Sequence, residues 1–227
     1  MSKLVIWDID GTLLHCFGTG KEALEATYKE MYGIEGAMQR ISLAGVVDSE
    51  VIKTINSSYG LSDFDSAAFY RMYAERLMKL LTTGQGIVVI DGIEPVLKNL
   101  QRPGLYHVIG TGNCKAGARV KLELSGLSDY FEHGAFGDEV GDRDALLALA
   151  RTRAEDVFRT KFLDDEVMVI GDTPKDITSA KSNDFVAVAT TTGYYDEREL
   201  AVHTPDFIID HFSELIGVID NQWPKGY

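Results

Sequence analysis

Leu4-Val5-Ile6-Trp7-Asp8-Ile9-Asp10-Gly11-Thr12 is the stretch whose reading decides the fold. Apolar and aromatic residues with strong strand preference run directly into two aspartates two positions apart, and Gly11 then permits a sharp turn. The pattern predicts a buried strand that delivers carboxylates to its own C-terminal end. In open α/β sheets helices cover both faces, so ligands bind beyond the carboxyl ends of the strands. Taken alone, the nonamer is equally well explained as a strand and an Asp-Gly turn whose aspartates cap backbone amides.

Two later runs repeat the arrangement. Tyr106-His107-Val108-Ile109 leads into Gly110-Thr111-Gly112-Asn113, and Val167-Met168-Val169-Ile170 leads into Gly171-Asp172-Thr173-Pro174-Lys175-Asp176. Gly134-Ala135-Phe136-Gly137, Phe185 to Ala189 and Phe207-Ile208-Ile209 read as further strands. Helical spacing occupies the intervals, with helices to Leu100, from Lys115 to Ser125, from Asp144 to Arg153 and from Pro174 onward, and one at the C-terminus. Residues from about 15 to 85 read instead as helical throughout. Lys21 to Tyr32 is closed by Gly33, Asp48 is the expected N-cap of a segment ending at Tyr59-Gly60, and Asp65 or Ser66 opens a longer helix through Leu80. The expected fold class is α/β, a doubly wound parallel sheet with right-handed crossovers, carrying an all-helical insert after its first strand.

Composition narrows the function classes. The 227 residues carry a formal net charge of -13, which argues against nucleic acid as a partner, since such binding draws most of its affinity from Lys and Arg. Asp8 and Asp10 interrupt the first apolar run, so no secretory pattern forms, and no run approaches the ~18 apolar residues of a membrane span. Two cysteines, Cys16 and Cys114, make no disulfide framework and no zinc pattern. A soluble, cytoplasmic protein without membrane partners, monomer or homodimer, is expected.

A parallel sheet puts the loops after residues 7, 109 and 170 on one edge, so Asp8, Asp10, Thr111, Asp172 and Asp176 can share a pocket. Four carboxylates there repel by several kcal/mol at ~4 Å and an effective dielectric near ~20 unless a cation offsets them. An all-oxygen donor set suits Mg²⁺ better than zinc.

These motifs resemble those of the haloacid dehalogenase superfamily. Its first motif is matched by Asp8-Ile9-Asp10-Gly11-Thr12, its second by Val108-Ile109-Gly110-Thr111 and its fourth by Gly171-Asp172-Thr173-Pro174-Lys175-Asp176, in order over the whole chain. The helical insert is similar to the cap of the phosphoglycolate phosphatase branch. The resemblance implies a core domain of residues 1–14 and 87–227 and a cap domain of residues 15–86, with hinges at 14–20 and 82–90. It implies an Mg²⁺-dependent phosphomonoester hydrolase acting on a small phosphorylated metabolite. Asp8 would attack phosphorus and form an aspartyl-phosphate, and Asp10 would protonate the leaving oxygen and then activate water. Mg²⁺ would be held by the Asp8 carboxylate, the Asp10 backbone carbonyl and Asp172, with Asp176 in support. Thr111 would bind the phosphoryl group, with the amides of Gly112 and Asn113 nearby.

The third motif is a single cation, usually a lysine followed by proline. Here the segment reads Gly137-Asp138-Glu139-Val140-Gly141-Asp142-Arg143-Asp144, so Arg143 takes the place, with Lys121 as the alternative phosphate-binding donor. His15, Cys16 and Cys114 read as packing residues, and the Tyr and Met residues from 69 to 78 as cap core. Asp10 argues against a dehalogenase. A phosphomutase of the β-phosphoglucomutase type, a phosphonatase using Lys21 or Lys53, and a non-catalytic phosphate- or metal-binding module are the alternatives. Similar phosphatases carry Gly-Arg-Thr-Asp before the second cap helix, whereas this chain has Gly45-Val46-Val47-Asp48, which counts against a substrate as small and carboxylated as phosphoglycolate.

Overall fold

The computed structural model describes residues 2–39, 41 and 45–223. The chain runs β1 (Lys3–Trp7), β2 (Leu14–His15), α1 (Thr19–Tyr32), α2 (Asp48–Tyr59), α3 (Ser66–Thr83), β3 (Val88–Val89) and α4 (Ile93–Leu100). It continues through β4 (Leu105–Thr111), α5 (Lys115–Ser125), β5 (Gly134–Phe136), α6 (Arg143–Phe158), β6 (Val167–Gly171), α7 (Pro174–Ser182), β7 (Val186–Thr190), α8 (Glu197–Ala201), β8 (Phe207–Ile209) and α9 (Ser213–Gly217).

Six strands pair in parallel in the order β5-β4-β1-β6-β7-β8. Crossovers leave β1 toward β4 and β5, then resume on its other flank at β6, so the chain reverses direction across the sheet at β1. That reversal opens the crevice in which doubly wound folds bind ligands. Side chains of β1 alternate between two apolar layers. Leu4 and Ile6 pack with Leu146, Leu147 and Ala150 of α6 and Ile177 of α7. Val5 and Trp7 belong to the opposite layer with Val96 and Leu97 of α4 and Leu215 of α9. Both faces are covered, which is why the strand reads as a continuous apolar run.

The insert between β1 and β4 is the helical α1–α3. Its apolar faces meet through Tyr28 and Phe69, 4.7 Å between ring centroids, and Phe64 and Phe69, 5.1 Å. Helix α3 packs against α1 and also against α5 of the core. The two ends of the insert are tied by an antiparallel pairing of β2 with β3, Leu14 opposite Val89 and His15 opposite Val88. Two-residue strands carry no periodicity, so this pairing was not expected, and the described residues between α1 and α2 are not helical either.

Two further expectations are corrected. Asp48 is not the N-cap of α2; Val47 holds that position with an extended backbone and Asp48 is the first helical residue. Its carboxylate is used elsewhere, accepting a hydrogen bond from the Cys114 amide at 2.7 Å. Helix α6 starts at Arg143 and runs to Phe158, with Asp142 as its cap accepting from the Ala145 amide at 2.8 Å. Asp142 leads the helix because its side-chain oxygen satisfies one of the orphan amides of the first turn. Among the described residues no helix is long and apolar enough to cross a membrane.

Candidate active site

Strand register assembles the site. Trp7 lies opposite Ile109 on β4 and Ile170 on β6, so Asp8 is level with Gly110 and Gly171, and Thr111 and Asp172 follow one step beyond. The Asp8 amide continues the ladder by donating to the Ile170 carbonyl at 3.0 Å. Asp8, Asp172 and Asp176 each bring a carboxylate oxygen within 4.8 Å of the others, and all three are buried.

Arg143 enters this cluster from the first turn of α6. Its guanidinium is 2.9 Å from Asp8 Oδ1 and also pairs with Asp176 Oδ1. Asp176 is fixed from its other oxygen by the Thr173 amide at 3.0 Å and hydroxyl at 2.7 Å, within a capping box at the start of α7. One cation does not balance three carboxylates. Burial pushes the Asp172 carboxyl up to about 9, with Asp176 and Asp8 adding to it. Burial likewise raises Asp8 to about 6, against the lowering pull of Arg143. Asp8 Oδ1 is buried without an aligned donor. A hard divalent cation fits this all-oxygen donor set, because it relieves the repulsion among three buried carboxylates that one guanidinium does not balance.

Backbone approaches Asp172 closely on two sides. Gly11, at φ +81, and Gly193, in the loop after β7, both sit where a Cβ would collide with the Asp172 carboxylate. The Thr192 hydroxyl donates to the Gly11 carbonyl at 2.6 Å and so holds these two loops together.

Asp10 belongs to a second group. Its Oδ2 accepts from Lys121 Nζ at 2.5 Å and from Asn113 Nδ2 at 2.7 Å, and Lys121 also donates to Asn113 Oδ1 at 2.7 Å. The Lys121 side chain is 3% exposed. Burial works against its charge, yet Asp10 outweighs that and leaves its ammonium above the usual range. Asn113 Nδ2 donates in addition to the buried Thr111 hydroxyl at 2.8 Å. The two sequence-predicted cations thus have different stations, Arg143 beside Asp8 and Lys121 beside Asp10. The Asp10 carboxylate stands outside the three-aspartate cluster.

A cavity of about 690 Å³ opens over both groups, and Asp8, Asp10, Thr111, Gly112, Asn113, Lys121, Arg143 and Asp172 all line it. The insert supplies Lys21, Leu24, Ile41, Val46, Asp48 and Tyr73, and the core loop after β7 supplies Tyr194 and Tyr195. Lys53 lines a separate surface hollow near Asn56 and Tyr70. Cys16 lines the cavity, and burial pushes its thiol up to about 12. Cys114 is buried at the start of α5, where its sulfur accepts from the Gly117 amide at 3.4 Å. Neither is activated as a thiolate.

Asp48, Tyr73, Gly193, Tyr194 and Tyr195 were not singled out as site residues from the sequence. The Gly193-Tyr194-Tyr195 segment does follow a strand of the same parallel sheet, and that is the signal by which it could have been found.

A family model described as haloacid dehalogenase-like hydrolase matches residues 5–189. A protein of Dickeya dadantii named "Probable phosphatase IndB" is 26% identical over 96% of this chain and 93% of its own length. A phosphoglycolate phosphatase of Synechococcus elongatus is 24% identical over 96% of this chain and 97% of its own. Among solved structures, a hydrolase from Pseudomonas syringae superposes with a TM-score of 0.72 at 21% identity, covering 99% of this chain and 100% of that one.

Proposed function

Because the chain belongs to the haloacid dehalogenase-like hydrolases, and is a phosphatase of that family, we propose that it hydrolyses a small phosphorylated metabolite through an aspartyl-phosphate on Asp8. The observation that carries this reading is the convergence of Asp8, Asp172 and Asp176 within 4.8 Å beside Arg143, with Asp8, Asp172 and Arg143 lining a cavity to which the helical insert also contributes. The same reading treats residues 1–14 and 87–227 as the catalytic core and residues 15–86 as its cap.

The Asp8 carboxylate attacks phosphorus in line, forming a P–O bond as the ester P–O bond breaks, and the departing alkoxide takes a proton from Asp10. Asp10 then removes a proton from water as that water attacks the phosphorylated Asp8. Breaking of the acyl phosphate P–O bond restores the Asp8 carboxylate, leaves Asp10 protonated for the next cycle and releases inorganic phosphate. Arg143 offsets the charge shared by nucleophile and phosphoryl oxygens, and Thr111 offers its hydroxyl with the amides of Gly112 and Asn113 nearby. Lys121 and Asn113 hold the Asp10 carboxylate in one orientation, which makes Lys121 a positioning residue here rather than a phosphate ligand. Asp8, Asp172 and Asp176, with the Asp10 backbone carbonyl, are the groups that would hold Mg²⁺, which when bound supplies charge stabilisation to the phosphoryl oxygens. The apolar Val46, which lines the cavity from the insert's loop, favours a leaving group other than a two-carbon acid.

Phosphate release from a panel of phosphomonoesters and sugar phosphates, with Mg²⁺ or with chelator, tests the reading. Mg²⁺-dependent turnover by the native chain and none by Asp8→Asn is the expected result. Equal activity in both proteins removes Asp8 from its role.

A further inference from the structure

The cavity over Asp8 is larger than phosphoryl recognition requires. Its volume of about 690 Å³ lies in the range of pockets that enclose drug-sized ligands, whereas the phosphoryl group needs only the floor. Two large aromatic side chains line the cavity while facing solvent. Tyr194 is 90% exposed and makes no hydrogen bond or ring contact among the described residues; Phe17 is 52% exposed. They come from separate parts of the chain, the loop after β7 and the segment between β2 and α1. Phe17 is held at φ 48, in the left-handed region that a bulky residue seldom adopts, with its ring 6.0 Å from His15.

Charge in the cavity leads the same way. Arg143 is engaged by Asp8 and Asp176, and Lys121 by Asp10. Among the described residues only Lys21 lines the cavity as a cation without a carboxylate partner, and its ammonium donates to the Ile41 carbonyl at 3.2 Å. Among the described residues a second anionic group on the leaving alcohol therefore meets one cation, Lys21, that no carboxylate engages. A planar ring meets two solvent-exposed aromatic side chains, Phe17 and Tyr194.

We infer that Phe17 and Tyr194 form a ring-binding subsite, so that the preferred substrates are phosphomonoesters whose alcohol carries an aromatic or heteroaromatic ring close to the ester oxygen. The inference rests on the hydrolase reading for its chemistry and on the cavity for its selectivity. Offset or edge contacts with an aromatic ligand select planar rings over saturated ones of the same size.

Benzyl phosphate and cyclohexylmethyl phosphate test this as a matched pair, since both release a primary alcohol of similar bulk, with 2-phosphoglycolate as the small anionic comparison. In Mg²⁺ buffer the expected kcat/KM for benzyl phosphate exceeds that for either of the others by about fivefold or more. Tyr194→Ala and Phe17→Ala bring the benzyl-to-cyclohexylmethyl ratio close to one, and Tyr194→Phe keeps it. Calorimetric titration with benzylphosphonate and cyclohexylmethylphosphonate reads the same preference without turnover. Ring-selective binding with no hydrolysis of any ester overturns the hydrolase reading and sustains the subsite. Hydrolysis with no ring preference, or a preference that both alanine variants retain, overturns the subsite and leaves the hydrolase reading standing.

Discussion

Lys121 Nζ lies 2.5 Å from Asp10 Oδ2 across 111 positions of sequence, and Asn113 closes the triangle from both of them. If this clamp orients the proton donor, its loss should track the leaving group's need for a proton. Lys121→Met is expected to lower kcat for alkyl phosphates by about 100-fold. First-turnover release of p-nitrophenol from p-nitrophenyl phosphate, a leaving group that departs without protonation, should lose only a few-fold, and Asp10→Asn should reproduce the contrast in that first step while slowing the later attack of water for both substrates. Equal losses on both substrates would assign Lys121 to the phosphoryl group instead.

Arg143 bridges Asp8 and Asp176 in a buried setting. Removing one partner of such a set leaves uncompensated charge, so Arg143→Met should destabilise the metal-free protein by about 3–5 kcal/mol. Denaturant titration reads this directly. Arg143→Lys, which keeps a cation but not the planar fork, should recover part of the stability.

Gly193 leaves room for the Asp172 carboxylate, which any side chain at that position would displace. Gly193→Ala is expected to weaken Mg²⁺ binding by about 10–100-fold, as losses of supporting contacts around metal ligands do. The measurement is the rise in melting temperature on adding Mg²⁺. In the native chain the rise should amount to several degrees at saturation, and in Asp172→Asn it should vanish.

Asp48 is buried, and burial raises its carboxyl to about 6 despite the Cys114 amide and the nearby Lys121, with Asp10 adding to the rise. A carboxyl raised on folding contributes stability that is fully present below its unfolded value near 3.8 and is lost as pH climbs through about 6. Asp48→Asn removes this dependence. The difference in unfolding free energy, variant minus native, should therefore move in the variant's favour between pH 4 and pH 8, by on the order of 2–3 kcal/mol. A constant difference across that range would contradict the assignment.

The core sheet and the three polar loops at its edge were legible because each is a local pattern, an apolar run ending in Asp8, Thr111 or Asp172. Parallel pairing then brings the loops together with no further information from the sequence. What escaped reading depends on neighbours distant in the chain. Asp48 carries the usual N-cap pattern, but its side chain is drawn to the Cys114 amide in the core, and tertiary contact overrides the local rule. Lys121 sits on the buried face of α5 beside Ala118 and Leu122, so a lysine interrupting an apolar face was the available clue. Its contact with Asp10 required the packing of α5 against the rest of the molecule. Tyr194 and Tyr195 lack any periodicity, and only the position of their loop after a core strand marks them.

The amino end of α2 is stitched to the core by main-chain bonds, from the Asp48 amide to the Gly112 carbonyl at 2.8 Å and from the Ser49 amide to the Gly137 carbonyl at 3.0 Å. Swinging the insert away from the core must break both, along with the Asp48 bond to the Cys114 amide. If the insert moves as a cap, deuterium uptake at the Asp48, Ser49 and Cys114 amides is expected to time that opening, read from three sites on both sides of the cleft. Any ligand that holds the cap down slows all three together.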